Sequence, residues 1–248
     1  MKLEEILDAA ILIGYHLLCN GADVSRVEQS IDYICEAYGA REINAFAIPS
    51  SIVVTISNDT MSLTKTKRIL KQQTNLDCVE KIAGLSRYIC AAKPTYLTIV
   101  MRMDEILATP RWNIKWQYVA HMLTGASFCI FFGGNFFDSL IAAAIGALLM
   151  SLNKLLEKIN ANNFFVTVIC SFFAAFISGK MGVLFHGYFH TNAITIGDIM
   201  LLVPGLALAN SMRDFIANDT MTGLSRITEA LFVAIGVALG VACAMFFL

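Results

Sequence analysis

Phe164-Phe-Val-Thr-Val-Ile-Cys-Ser-Phe-Phe-Ala-Ala-Phe-Ile-Ser-Gly-Lys-Met-Gly-Val-Leu-Phe185 carries one charge, Lys180, close to its end. A helix that crosses the hydrocarbon core of a bilayer needs about 20 mostly apolar residues, and this stretch supplies them. Four more apolar runs lie around it, at 117–132, 136–152, 193–211 and 228–248. Charge is distributed accordingly. Residues 1–119 hold 13 of the 18 Lys+Arg and 13 of the 19 Asp+Glu, which leaves five and six for the rest. The expected fold is an α+β soluble N-terminal domain followed by an all-α polytopic membrane domain of about five transmembrane helices. The first domain, with its membrane junction, takes residues 1–115 and the second 116–248, with spans near 117–132, 136–152, 164–185, 193–211 and 228–248. The first two runs are short, so a re-entrant or peripheral helix there leaves four spans as the alternative.

The formal net charge is −1, and the soluble half balances at zero, which argues against a nucleic-acid partner. Met1-Lys-Leu-Glu-Glu lacks the basic start and short apolar block of a signal peptide, so the N-terminal domain is expected in the cytosol. On that orientation Lys154, Lys158, Arg213 and Arg226 fall inside, and only Lys180, His186 and His190 lie toward the outside. This obeys the positive-inside rule, and five spans put the C-terminus outside. Pro110-Arg111-Trp112 opens the junction. Trp112, Trp116 and Tyr118, with Arg111 and Lys115, resemble an interfacial belt. The seven cysteines are scattered without a C-x-x-C, and no metal, disulfide framework or cofactor is expected from them.

Within the soluble half, Leu3, Ile6, Leu7, Ala10, Ile11, Gly14, Leu17 and Leu18 form one helical stripe that ends near Asn20-Gly21. A second helix starts around Asp23 or Ser25, where Ser25-Arg26-Val27-Glu28 fits a capping box, with Gly39 as its stop. Segments 43–48, 51–57 and 61–66 read as strands, broken by Pro49 and turned at Asn58-Asp59. Segments 76–91 and 96–107 read as helices.

The fourth apolar run carries most of the chemistry. Pro204 lacks a backbone donor and should kink or open the helix, and Gly205 beside it admits a close neighbour. Such discontinuous helices build midplane substrate sites in transporters. A kink that serves helix packing explains the same residues. Asn210, Arg213 and Asp214 share one helix face. Arg213 can receive an anionic substrate, or simply pair with Asp214 in a solvated loop. Asp198 lies about one turn inside the run, where an acidic residue is a functional candidate, with Lys180 as partner for ion coupling. Both can also snorkel to the interface. His186 and His190 read as external loop histidines, and His16 and His121 as structural ones. Glu229, beside Arg226, reads as a helix cap. In the soluble half, Ser50-Ser51 with Arg26 and Glu28 could be assembled into a hydrolytic site, although turn and capping chemistry accounts for them equally.

These residues resemble the threonine/serine exporter family of bacterial membrane proteins. The likeness rests on Gly21-Ala-Asp-Val-Ser-Arg-Val-Glu28, Tyr38-Gly39, Pro49-Ser-Ser-Ile52, Val203-Pro204-Gly205, Asn210, Arg213-Asp214, Gly223, Arg226 and Glu229-Ala230. Asp23 departs from the Glu more usual in the family. The resemblance implies a subunit of an inner-membrane secondary exporter of a small amino acid (threonine or serine) or a dicarboxylate such as succinate, coupled to protons. Pro204, Gly205, Asn210, Arg213 and Asp214 would bind substrate, and Asp198 with Lys180 would couple the ion. Gly21, Arg26, Glu28 and Pro49 map onto the family's soluble motif, of unassigned role. Some members join two membrane units in one chain and others split them between genes. This chain resembles the larger half of the split form, which implies a second small membrane subunit packed as an oppositely oriented repeat, and leaves room for a homo-oligomer. A membrane-tethered hydrolase and a non-transporting scaffold are the rival readings.

Overall fold

The computed structural model describes residues 1–109, 113–159 and 161–248. Pro110, Arg111 and Trp112 of the expected junction lie outside the described residues. The chain divides into two compact units, Met1–Pro110 with Asp219–Thr222, and Arg111–Asn218 with Gly223–Leu248.

In the first unit, α1 (Leu3–Cys19) and α2 (Val24–Ala37) precede a meander of β1 (Glu42–Ile48), β2 (Ser51–Ser57) and β3 (Ser62–Arg68), and α3 (Leu76–Ala92) and α4 (Tyr96–Ala108) follow. The sheet is antiparallel in the order β1-β2-β3. Period-2 alternation in β2 sends Ile52, Val54 and Ile56 to one face, where all three are fully buried. Ile13 and Leu17 of α1, Ile31 and Ile34 of α2, Ile82 and Ile89 of α3, and Ile99 and Met103 of α4 complete this core. Burying each such side chain stabilises the unit by about 1.5–3 kcal/mol.

Two local expectations are corrected here. β3 runs two residues further than its alternation predicts, because pairing with β2 continues to Ser51↔Arg68. Lys65 and Lys67 point to the same face as Val54 and Ile52, yet they stay wet at the edge. Lys65 there pairs with Asp8 of α1, and the Lys67 ammonium lies over the Tyr15 ring. The capping box at Ser25 is not formed. Of the two expected starts Asp23 holds: it is the N-cap, and α2 begins at Val24, two residues ahead of a helix capped by Ser25. Glu28 instead accepts the Ala47 N–H of β1 at 2.8 Å, so it ties α2 to the sheet edge.

The second unit is helical: α5 (Ile114–Phe131), α6 (Phe136–Lys158), α7 (Asn163–Leu184), α8 (Thr191–Ile199), α9 (Gly205–Ile216) and α10 (Thr220–Met245). Three of these, α6, α7 and α10, are long and apolar enough to cross a membrane. α6 runs past residue 152 because its polar tail, with Lys154 and Lys158, keeps helical pairing, and α10 starts eight residues ahead of the expected 228. Cys129, Ala142, Ile145, Leu149, Cys170, Ala174, Ala193 and Ile194, from α5 to α8, form a small buried core. Around it large apolar side chains face outward, among them Phe165, Leu231, Phe232 and Leu239. That surface would be a liability in water and suits contact with lipid.

Candidate functional site

The fourth apolar run is broken. α8 ends at Ile199, residues 200–204 belong to neither helix, and α9 starts at Gly205. Pro204 causes the break. It has no N–H to give, and it stands in the N-cap position with φ −79° and ψ 62°. The unravelled carbonyls are partly recovered by tight turns, since Leu201 N–H donates to Asp198 O at 3.2 Å and Leu202 N–H to Ile199 O at 2.8 Å. Gly205 does not serve a close approach. A Cβ placed there would meet nothing within 4 Å.

Asp198 sits on the last turn of α8, fully buried, and neither carboxylate oxygen has a hydrogen-bond partner. A buried polar group in this condition costs roughly 1–3 kcal/mol, and more when charged, so it needs an explanation. Close packing creates the setting. A Cβ on Gly125 of α5 would stand 2.7 Å from Asp198 Oδ1, and a Cβ on Gly197 would stand 2.7 Å from the backbone N of Cys129. Only glycine at 125 and 197 lets α5 and α8 meet with a carboxylate between them. Lys180 does not partner Asp198; it is exposed on α7, its ammonium 5.4 Å from the Phe176 ring centroid.

Past the break, Asn210 is half-buried, Arg213 exposed and Asp214 buried on α9. Asp214 has Arg226 of α10 beside it, with Nε 3.1 Å from Oδ2. These two atoms are close but not aligned as a hydrogen bond, so charge proximity holds them. Because the two side chains are only 13% and 9% exposed, this contact is not a solvated surface pair.

Sequence reasoning passed over Asp138. At the head of α6 it closes a capping box with Asn135, and it also takes the N–H of His190 at 3.1 Å and its ring Nδ1 at 2.8 Å. An ionisable residue leading an apolar run was the available signal. His190 is thereby the N-cap residue of α8, and His186 has left-handed backbone (φ 51°). Their i,i+4 spacing therefore does not fall on a helix.

In the first unit, Gly21 follows α1 with φ 91°, a conformation that glycine adopts without strain. Arg26 is exposed on α2. Pro49 lies in the tight turn between β1 and β2, and its carbonyl accepts from Gln72. Burial raises the Glu28 carboxyl above the usual carboxylate range, against the Ala47 N–H bond that lowers it. Among the described residues no hydrogen bond joins Ser50 or Ser51 to Glu28 or to a histidine, so the arrangement is not that of a nucleophile with its base.

A family model described as "Putative threonine/serine exporter" matches residues 8–248. The curated relatives include a "Probable threonine/serine exporter" of Mycobacterium tuberculosis, 22% identical over 97% of this chain and 46% of its own length. A "Probable succinate transporter subunit YjjP" of Escherichia coli is 25% identical over 95% of this chain and 91% of its own. A "Threonine/serine exporter" of Corynebacterium glutamicum is 24% identical over 97% and 50% respectively. The chain thus spans about half the length of the two exporters and nearly all of the succinate subunit. No solved structure matches. With a match that covers all but seven residues, and with long apolar helices behind a small α+β unit, the chain belongs to the threonine/serine exporter family.

Proposed function

We propose that this chain is a subunit of an inner-membrane secondary exporter that moves threonine, serine or a small dicarboxylate such as succinate outward against protons. The observation that carries this reading is the broken α8–α9 helix with a buried, unpartnered Asp198 in the last turn before the break. Ion-coupled transporters place exchangeable carboxylates and opened backbone at such breaks. In this account Asp198 takes and releases the coupled proton. The freed backbone of residues 200–204, Pro204, Gly205 and Asn210 line the substrate path, and exposed Arg213 receives the carboxylate at its mouth. Asp214 holds Arg226 of α10 beside it. Lys180 has no coupling role here, because its ammonium stays with the Phe176 face.

α5 and the α8–α9 pair supply the fourth and fifth crossings beside α6, α7 and α10, with the first unit in the cytosol and the C-terminus outside. The relatives of double length, and the word "subunit" in the names of the succinate relatives, support a second small membrane protein as partner. The test is efflux from cells preloaded with labelled threonine, serine or succinate, with this chain expressed alone and with a neighbouring small membrane protein. Flux only with the pair is expected. A properly assembled pair that moves none of the three solutes removes all three as substrates.

A further inference from the structure

Asp138 is fully buried at the head of α6, yet its oxygens are well used. Asn135 N–H donates to Oδ2 at 2.8 Å, and the Asp138 N–H donates to Asn135 Oδ1 at 2.9 Å. Those two bonds are all that capping α6 requires. The two bonds from His190 are additional, and they reach across 52 residues. They matter for α8, which has no side-chain cap of its own, because His190 directs its ring to Asp138. A carboxylate beside the first amides of a helix is favourable to its dipole, so Asp138 stabilises the starts of two helices at once.

α8 has nine residues, a rod about 13 Å long. Asp138 holds its first turn and a contact between the Ser178 and Thr195 hydroxyls holds its middle. Its last turn presents Asp198 to Gly125. The same short helix therefore has a fully satisfied carboxylate at one end and an unsatisfied one at the other. We propose that Asp138 and His190 are positioning residues, which fix the start of α8 on α6 and through this rigid helix keep Asp198 sealed against α5. The inference rests on the reading of Asp198 as the coupling group, and its test is independent of solute flux.

The test uses the purified full chain and dicyclohexylcarbodiimide, which modifies protonated carboxyls in apolar surroundings. Modification of the Asp198 peptide is followed by mass spectrometry at fixed pH, with Asp198→Asn as the blank. Asp138→Asn and His190→Ala should each raise the labelling rate about tenfold. The double variant should add little to the larger single effect, and Asp138→Glu, which keeps the charge and the capping box, should restore slow labelling. Size-exclusion elution checks assembly. If Asp138→Asn does not assemble, His190→Ala decides alone, since its ring is 62% exposed and its loss leaves the core intact. Rates within twofold of the parent in the assembled variants overturn the proposal, and so do single effects that multiply in the double variant. Normal solute flux in Asp198→Asn would refute the coupling role while leaving the labelling result to stand.

Discussion

Replacing Gly197 by alanine puts two effects of known size against each other. Alanine in a helix interior is favoured over glycine by about 1 kcal/mol. At 197, however, the new Cβ would lie 2.7 Å from the Cys129 backbone N and 2.9 Å from its Cα, and backbone on a packed helix cannot step aside. Forcing a methyl into such a contact costs about 1–3 kcal/mol, and the backbone identity of the neighbour places this case at the upper end. The net expectation is a loss of about 2 kcal/mol, or about 4–8 °C in apparent Tm for a chain of this size. Gly84 of α3 is the control, since a Cβ there meets nothing nearer than an Arg87 side-chain nitrogen at 3.8 Å. Gly84→Ala should raise the midpoint slightly. The assay is thermal unfolding of the detergent-purified full chain at one scan rate, read by intrinsic fluorescence and by monodisperse elution. A Gly197→Ala midpoint equal to or above the parent, with Gly84→Ala behaving as stated, would refute the close α5–α8 contact.

Gly125→Ala meets a carboxylate that can turn and, at 3.1 Å, the Ala142 carbonyl that must give slightly, so its expected stability loss is about 1–2 kcal/mol, while Asp198 is displaced and efflux falls at least tenfold; the pair of readouts checks it. Asp214→Ala removes the carboxylate that stands against mostly buried Arg226, and should cost about 3–5 kcal/mol, whereas Arg213→Ala, on an exposed side chain, should lower the unfolding midpoint far less and reduce efflux. Because the Glu28 carboxyl is raised on folding, its contribution to stability is complete below the unfolded carboxylate range and is lost as pH rises through the folded value. Glu28→Gln, which keeps an acceptor for the Ala47 N–H, should therefore remove that loss. Hydrogen exchange at the Ala47 amide between pH 4 and 7, roughly the span above the free Glu value, checks it. An unchanged pH dependence would dissociate Glu28 from it.

The parts of this structure that were legible in the sequence are those decided by neighbours along the chain. The α1 stripe, the β-branched run of β2 and the stop at Gly21 follow from residues within one or two turns, and each element appears within a residue or two of its expected bounds. The break at Pro204 was legible for the same reason, since a missing N–H is a local fact. What escaped depends on partners far away in sequence. Asn135-Phe-Phe-Asp138 reads as an ordinary cap, and nothing in it announces His190. Glu28 satisfied a local capping pattern on paper, but the Ala47 N–H at an otherwise unpaired strand edge is the stronger claimant. Arg226 beside Asp214 is twelve residues away in sequence and on another helix, so nothing local to α9 announces it. Charge pairing on helices follows the face, and faces that meet are chosen by tertiary packing.

The most direct test of the account is proton-gradient-driven efflux in cells that carry the assembled pair, with Asp198 compared against Asp198→Asn and Asp198→Glu at equal membrane abundance. The account predicts that the amide abolishes gradient-sensitive flux and that the longer carboxylate retains a measurable part of it. Full gradient-sensitive flux through Asp198→Asn would contradict the assignment of the broken helix as the coupled path.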